Sequence, residues 1–229
     1  YLRFDFMKTL VIFCIILFSF CVKAQDNILS INFKEIHFKK VRDFINRQKE
    51  NKIINFIDVK GSYSEKESKS YKKHHQSYLI KKPIEEVWAS YNTTSPAKSW
   101  NGKMLNFGCL ISKKNKSISY INDNYGGAEV GQVFYVNLKL LKGFYNLAVA
   151  FEVTRLSEED YTIEYSYVHG GKTQGKQWMT MTSTPEGYTR ILHYTLYKSS
   201  SQFRDLLLYP YVHELAINEF HHNMLLSNQ

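Results

Sequence analysis

A close succession of short strand-like runs constrains the fold of this chain more than any other feature of its sequence. Runs rich in β-branched and aromatic residues alternate with turn sequences such as NYGG, KGF, SEED and PEG. The predicted strands cover residues 103–112, 117–121, 130–141, 145–156, 161–169, 174–184 and 188–198. In one of them the alternation is regular, because Leu147, Val149 and Phe151 fall on one face and Asn146 and Glu152 on the other. Strands joined by such short turns favour an antiparallel sheet.

The stretch LIKKPIEEVWASY, residues 79–91, marks an abrupt change from a strand to a helix. It closes a predicted first strand, and Pro83 then suits the first turn of a helix, where a missing N–H costs nothing. Glu85 and Glu86 suit the positive end of the helix dipole, and apolar residues follow at helical spacing. A second short helix is predicted around residues 96–100.

A long helical pattern, residues 202–226, ends the chain. Its apolar stripe repeats every seven positions in two sets, which are Phe203, Pro210, Ile217 and Met224, and Leu206, His213 and Phe220. Such a stripe predicts a helix with one face packed against the sheet. Pro210 is expected to kink this helix or to begin a second helical segment.

The beginning of the chain has the pattern of a secretory signal peptide. From Met7 the sequence MKTLVIFCIILFSFCVKAQ has one Lys, an apolar run and then Ala24, which predicts cleavage between Ala24 and Gln25. We therefore expect translation to start at Met7 and residues 1–24 to be removed. The formal net charge then falls from +9 to +7, because three basic residues and one acidic residue are lost. Cys109 stays alone, so the mature chain is expected to have no internal disulfide.

The rest of the chain divides into two predicted parts. Residues 25–70 are predicted to form an amphipathic helix over 29–50 and, over 61–73, a polar and flexible linker without apolar periodicity. Residues 71–229 are predicted to form the main domain, and the length of the chain suffices for one well-buried domain.

The order of these elements resembles the helix-grip superfamily, also called SRPBCC, START-like or birch-pollen-allergen-like. The resemblance covers about residues 71–226 and rests on IKKPIEEVW at the first strand–helix junction, EVTRLSEEDYTIEYSY, PEGYTRILHYTLY, and LYPYVHELAINEFHHNM in the last helix. It implies an α+β fold, in which a curved antiparallel seven-stranded sheet grips a long C-terminal helix, here with an extra N-terminal helix. It also implies a cavity between sheet and helix. Members of this superfamily hold apolar or amphipathic small molecules there, and some are cyclases, dehydratases or hydrolases.

The predicted ligand contacts combine strand residues with the inner face of the last helix. They are His213, His193, Tyr165, Tyr167, Phe134, Phe151, Phe220 and Ile217. His213 lies on the apolar stripe, where it is either a buried His that hydrogen-bonds to backbone or a Tyr, or a ligand contact or general acid/base. His193 is the weaker candidate of the two, because the sequence does not decide which face of its strand is buried.

No cofactor and no metal ion are expected from the sequence. HGGKTQGK has Gln177 where a phosphate-binding loop requires Ser or Thr. His213, Glu214, His221 and His222 lack the spacing of metal-binding helices.

The favoured function is an exported, non-enzymatic protein, periplasmic or secreted, that holds a lipid-like or polycyclic small molecule. The alternative is a cyclase-like or hydrolase-like enzyme that uses His213 in the same cavity. A third hypothesis is a weak contact between the basic residues of 25–70 and an anionic membrane surface. Nucleic-acid binding is not expected, because the basic residues are not interleaved with exposed aromatic residues.

Overall fold

The computed structural model describes residues 27–226, and the predicted signal peptide lies outside this range. Within it the helices are α1 Lys39–Glu50, α2 Ile84–Thr93, α3 Pro96–Ser99 and α4 Tyr209–Leu226. The strands are β1 Lys72–Ile80, β2 Leu105–Ser112, β3 Ser117–Ser119, β4 Gln132–Leu140, β5 Tyr145–Ser157, β6 Thr162–Tyr167, β7 Gln174–Ser183 and β8 Thr189–Lys198. No helix in residues 27–226 has the length and apolar character needed to cross a bilayer.

The strands form one curved antiparallel sheet in the order β1-β8-β7-β6-β5-β4-β2-β3. The sheet has eight strands rather than the seven that the resemblance implies, because the strand predicted at 117–121 forms the short β3, which pairs with β2 at the edge, where Ile118 lies opposite Ile111. The first strand pairs with the last along its whole length. The predicted α+β helix-grip architecture is confirmed, since α4 closes over the inner face of this sheet.

The strand-to-helix change at Pro83 occurs where the sequence predicts it. Pro83 caps α2 in an extended conformation, and Glu85 and Glu86 occupy the first turn. The apolar face of α2 buries Val87 and Tyr91 in the inner core. The junction therefore lets β1 feed two short helices that cover one side of the inner face.

Pro210 stands near the start of α4 and does not break it. The five residues before α4, Arg204–Leu208, form a π-helical turn, and α4 begins at Tyr209. Residues 202 and 203 before this turn are also helical, so the helical path is continuous and Pro210 is the second residue of α4, not the first residue of a separate segment. The irregularity near the proline is the π-helical turn just before it.

Two apolar clusters lie on the two faces of the sheet. The inner cluster contains Trp100, Phe134 and Phe151 and is closed by Phe220 of α4. The outer cluster joins residues 28–59 to the outward side chains of β2, β4 and β5. As a result β4 is buried on both faces, with Phe134 pointing inward and Tyr135 outward.

The N-terminal helix is shorter than predicted. The sequence predicts helix over 29–50, whereas α1 begins at Lys39 and is preceded by turns that bury Ile31 and Ile36 in the outer cluster. Those residues are apolar because they cover the sheet, although they are not helical. Gln48 of α1 accepts a hydrogen bond of 2.8 Å from the Tyr135 hydroxyl.

A bulge in β2 lets α1 approach the sheet. The register with β4 shifts between Phe107 and Cys109, and a Cβ on the intervening Gly108 would lie 2.9 Å from both the Tyr135 carbonyl oxygen and Val41 Cγ1. Glycine is therefore required by close packing at this position. Cys109 is fully buried beside it, and burial raises the pKa of its thiol.

The segment 61–71 has hydrogen bonds to the sheet. Gly61 N–H donates to Glu152 Oε2 at 3.0 Å, and Ser62 N–H donates to the Tyr167 carbonyl at 2.6 Å. Residues Glu65–Ser70 form a short 3-10 helix before β1. The division of the chain at residue 71 stays a prediction.

Candidate ligand-binding site

Aromatic side chains fill the centre of the space between sheet and α4. The Trp100 ring lies 4.3 Å from that of Phe220 and stacks on Phe151 at 5.5 Å, measured between centroids. Phe151 in turn lies 5.0 Å from Tyr167, and Phe134 meets Tyr165 edge to face at 6.3 Å. These ring contacts form the centre of the inner cluster.

The structure buries all eight predicted contact residues. Phe134, Phe151, Phe220, Tyr165 and Tyr167 share the inner cluster. The other three, Ile217, His193 and His213, are likewise buried. Their role as ligand contacts stays a prediction.

A chain of polar side chains runs through this apolar interior from α2 to β7. The Tyr91 hydroxyl contacts His221 Nδ1, and His221 Nε2 lies 2.9 Å from His193 Nδ1. His193 Nε2 is in turn 3.2 Å from Gln177 Oε1. This half of the chain connects α2, α4, β8 and β7.

The other half of the chain leads from Gln177 to the edge strand. His213 Nε2 is 3.2 Å from Gln177 Oε1 and 3.4 Å from Thr195 Oγ1. His213 Nδ1 lies 3.3 Å from Nδ1 of the partly exposed His74 on β1. The full chain therefore links Tyr91 in the core to His74 near solvent.

One assignment of protons satisfies every link with neutral imidazoles. The Tyr91 hydroxyl donates to His221, the His221 Nε2–H donates to His193, and the His193 Nε2–H donates to Gln177 Oε1. From the other side the His74 Nδ1–H donates to His213, whose Nε2–H donates to the same Gln177 oxygen. The reversed assignment would leave the hydroxyl hydrogen of the buried Tyr91 without the acceptor that His221 now provides, which is costly.

Burial keeps these histidines neutral. It lowers the pKa of His193 and His213 well below the ordinary 6.5, and neighbouring histidines lower both further. For His221, burial and then the field of His213 lower the pKa to about 3. The pKa of His74 is also lowered by burial, although Glu214 opposes the shift.

Both ring nitrogens of His213 are engaged by protein groups, and the residue is only 8% exposed. A general acid/base must present a nitrogen to its substrate. The geometry therefore does not favour an acid–base role for His213.

Several apolar residues at the margin of the inner cluster are only partly buried, and four of them lie on the β4–β5 hairpin and on α4. Leu140 and Leu147 of the β4–β5 hairpin, and Tyr209 and Ala216 of α4, pack at the margin of this cluster but are only partly buried. Leu208 and Leu215, on the helical segment beside them, are 47% and 43% exposed. We call Leu140, Leu147, Tyr209 and Ala216 the open margin.

Tyr209 joins the open margin to the polar chain. Its ring stacks on Tyr197 with a centroid distance of 3.7 Å and on His213 at 5.0 Å. Its hydroxyl contacts that of Tyr167, and burial raises the pKa of both phenols. The open margin thus has apolar walls with one phenol pair at its inner side.

Two further features of the described residues concern a small pocket and the grouping of metal-binding side chains. A pocket beneath α3, lined in part by Pro96 and Tyr125, offers about 10 Å³ to the centre of a water-sized sphere, which is room for about one water molecule. Within residues 27–226, no three His, Cys, Asp or Glu side chains are grouped to hold a metal ion.

Most of the polar chain could not be predicted from the sequence. In the sequence, His221 and Gln177 belong only to a metal-site pattern and to a phosphate-loop pattern, and neither pattern has the residues that such a site requires. Two patterns in the sequence indicate that these side chains are buried. His221 lies four residues after Ile217, on the same face of the helix, and Gln177 lies two residues before Met179, on the same face of β7. The sequence gives no sign that Tyr91 would be their partner.

Comparisons with known proteins find similar structures at low sequence identity. Major latex-like protein 151 from Panax ginseng is 12% identical over 67% of this chain and 95% of its own, with a TM-score of 0.49. Norcoclaurine synthase from Thalictrum flavum, solved with dopamine and hydroxybenzaldehyde, is 11% identical over 75% of this chain and 96% of its own, with a TM-score of 0.49. A protein from Nitrosospira multiformis is 15% identical over 67% of this chain and 96% of its own, with a TM-score of 0.43. No protein-family model and no curated protein matches the sequence.

Proposed function

We propose that the protein holds an apolar or amphipathic small molecule between the inner face of its sheet and its last helix. The open margin is the observation that carries this proposal. Apolar side chains that belong to a core are normally sealed from water, whereas these four pack against the inner cluster and stay only partly buried. An exposed apolar surface continuous with the interior is typical of a ligand site.

The chemistry of the open margin favours a largely apolar ligand. Its walls are aliphatic, and the nearest polar groups are the hydroxyls of Tyr209 and Tyr167, which contact each other. A ligand with one polar group could form a hydrogen bond with one of these two hydroxyls, while its apolar part covers Leu140 and Leu147. The ligand class is therefore lipid-like or polycyclic rather than ionic.

Filling the open margin is expected to block ligand binding. We expect the Ala216→Trp variant to bind anilinonaphthalene sulfonate, an apolar fluorescent probe, at least about tenfold more weakly, which corresponds to about 1.4 kcal/mol. The reason is steric, because Ala216 packs at the margin of the inner cluster and an indole there would occupy space that the probe needs. A fluorescence titration measures the effect, and a long-chain fatty acid is expected to compete with the probe in the parent protein.

Ala89→Trp is the matched control, because Ala89 is exposed on α2 away from the open margin. This variant is expected to bind the probe like the parent protein, and circular dichroism verifies that both variants are folded. Equal binding by the two variants, or no binding by the parent protein, would contradict the proposed site.

We also propose that the protein is exported, on the basis of the signal-peptide pattern that follows Met7. Expression of the whole chain in bacterial cells is expected to yield a mature protein that begins at Gln25, as read by mass spectrometry of its N-terminal peptide. Ala24→Phe should block cleavage, because signal peptidases require a small residue at this position, and Phe18→Leu should not. An uncleaved protein in the cytoplasm would contradict export.

A further inference from the structure

The tip of the β4–β5 hairpin exposes two large apolar side chains. Phe144 is 92% exposed and Leu141 is 78% exposed, and Tyr145 beside them is 52% exposed. Such side chains contribute little to the stability of the fold, since they bury almost none of their surface. Apolar residues that project together into water indicate a surface that another phase or molecule covers.

The backbone holds the tip in an unfavourable conformation. Leu141 and Lys142 both adopt left-handed φ values, of 51° and 57°, and Gly143 follows with 95°. Residues other than glycine rarely adopt this region, and two in succession are strained. The turn is nevertheless fixed, because Phe144 N–H donates to the Leu141 carbonyl at 3.2 Å and the Asn146 side chain donates to the Gly143 carbonyl at 3.1 Å. The result is a defined projection rather than a loose loop.

Basic residues surround the projecting side chains. Lys142 lies within the turn and Lys139 lies one residue before Leu140. Lys103 is close by, since Lys139 N–H donates to the carbonyl of the next residue, Met104, at 2.8 Å. Among the described residues, none of these three lysines forms an ion pair.

Acidic groups on the flanking elements offset only part of this charge, because one of the two is paired elsewhere and the other is a single carboxylate beside Lys103. Asp43 of α1 pairs with Lys39 at 3.0 Å, and the Glu219 carboxylate accepts hydrogen bonds from the backbone N–H groups of Met104 and Leu105. The hairpin tip therefore combines an apolar apex with a net positive charge, of three lysines against the Glu219 carboxylate.

A second apolar group lies at the same end of the sheet. In the antiparallel order, β8 ends at the end where β4 turns into β5, and the C-terminal helical segment begins shortly after β8. Its first turns expose Phe203, Leu206 and Leu207, each by at least 60%. Arg204 lies among them and donates to the carbonyl of Lys172, while the adjacent Asp205 is buried and accepts from Ser199 N–H.

We propose that this end of the protein docks on an anionic lipid bilayer, with Leu141 and Phe144 inserted between the lipid chains. Apolar side chains enter the boundary between headgroups and acyl chains, while the neighbouring lysines lie at the level of anionic headgroups. The charge of the tip selects an anionic bilayer over a neutral one. The proposal does not rest on the small-molecule site, because docking needs only the exposed tip.

Co-sedimentation with lipid vesicles tests this proposal on the chain that begins at residue 25. The protein is expected to bind vesicles of phosphatidylglycerol and phosphatidylcholine, to bind phosphatidylcholine vesicles more weakly, and to dissociate partly at high salt. The Leu141→Ser, Phe144→Ser variant should lose at least about tenfold in partition coefficient, because two apolar side chains no longer enter the bilayer. The matched control is Ile57→Ser, Leu79→Ser, which removes two exposed apolar side chains outside the tip and should bind like the parent protein.

A second variant reports on insertion directly. The fluorescence of Phe144→Trp is expected to be quenched by brominated acyl chains in the same vesicles, and that of Leu79→Trp to change less. Equal vesicle binding by tip and control variants, or no quenching at position 144, would overturn the proposal. So would a parent protein that ignores vesicles but self-associates through the tip, because the partner would then be a second copy of the chain. Each of these outcomes leaves probe binding at the open margin unaffected.

Discussion

A chain that lacks residues 27–60 is expected to be unable to fold. This segment places eight apolar side chains in the outer cluster, namely Ile28, Ile31, Ile36, Val41, Phe44, Ile45, Phe56 and Val59. Burying one such side chain stabilises a protein by about 1.5–3 kcal/mol, so their loss exceeds about 10 kcal/mol. The whole free energy of unfolding of a typical domain is only about 5–15 kcal/mol. The deletion would also uncover Ile111, Val133 and Tyr135 on the outer face of the sheet.

Expression of residues 61–229 beside residues 25–229 measures this effect. We expect the shorter chain to be insoluble, or to lack a cooperative thermal transition by circular dichroism. Ile57→Ser in the longer chain is the control, because Ile57 belongs to the deleted segment but is 67% exposed, and this variant should fold normally. A shorter chain that unfolds cooperatively with nearly full stability would contradict the prediction and would support an independent domain that begins near residue 71.

The sheet could be predicted from the sequence because each strand carries a local signal. Alternation in β5 and the turn sequences between strands are determined by a few neighbouring residues. The helix after Pro83 is equally local, since a proline and two glutamates mark its first turn. The order of these elements then leaves few arrangements for a curved sheet and a long helix.

The outer apolar layer could not be predicted in the same way. Residues 29–50 contain apolar residues at near-helical spacing, yet Ile31 and Ile36 reach the sheet from turns. Periodicity cannot separate these two cases, because burial alone selects for apolar residues. One signal was present in β4, where both Phe134 and Tyr135 are large and apolar in body, as expected for a strand covered on both faces.

The candidate site was predictable only in part. A histidine on an apolar stripe indicates that His213 is buried, but its partners lie on other elements. His74 is 139 residues away in sequence, and the contact of Tyr91 with His221 spans 130 residues. Such partners depend on tertiary packing, for which a single sequence has no local pattern. The open margin depends on packing too, because the same leucines would be sealed if α4 began closer to the hairpin.

The protein is expected to lose stability as the pH falls from about 7 to about 5. Folding lowers the pKa of His193, His213 and His221, so the unfolded chain binds more protons than the folded chain below the ordinary value of 6.5. Stability is therefore complete above this value and is lost as the pH falls towards the folded pKa, which for His221 is about 3. Each histidine contributes up to about 1.4 kcal/mol per pH unit in this window. Urea unfolding at a series of pH values measures the slope.

The polar chain explains why stability is lost at low pH. When the rings are neutral, each nitrogen that carries a proton faces an acceptor, and Gln177 Oε1 accepts hydrogen bonds from both His193 and His213. A proton added to His193 would go to Nδ1 and set two N–H groups against each other across the 2.9 Å contact with His221 Nε2. A proton added to His221 would go to Nδ1, which now accepts from the Tyr91 hydroxyl. Protonation should therefore separate α4 from β8 before the rest of the sheet is affected, and tyrosine and tryptophan fluorescence should change at this stage.

His221→Gln is expected to make the stability of the protein less sensitive to acid. At about pH 7 the variant should be less stable by about 1–3 kcal/mol, because it loses the contacts of the His221 ring with Tyr78 and Tyr91, although an amide can still accept from Tyr91 and donate to His193. The free energy of unfolding that the variant loses between about pH 7 and pH 5 should be smaller than that of the parent protein by up to about 1.4 kcal/mol per pH unit. His222→Gln is the matched control, because His222 is the exposed neighbour on the same helix, and it should keep the parent slope. Carboxylates titrate mainly below about pH 5, so a slope that is equal in the parent protein and His221→Gln across this window would show that the buried histidines do not cause the loss.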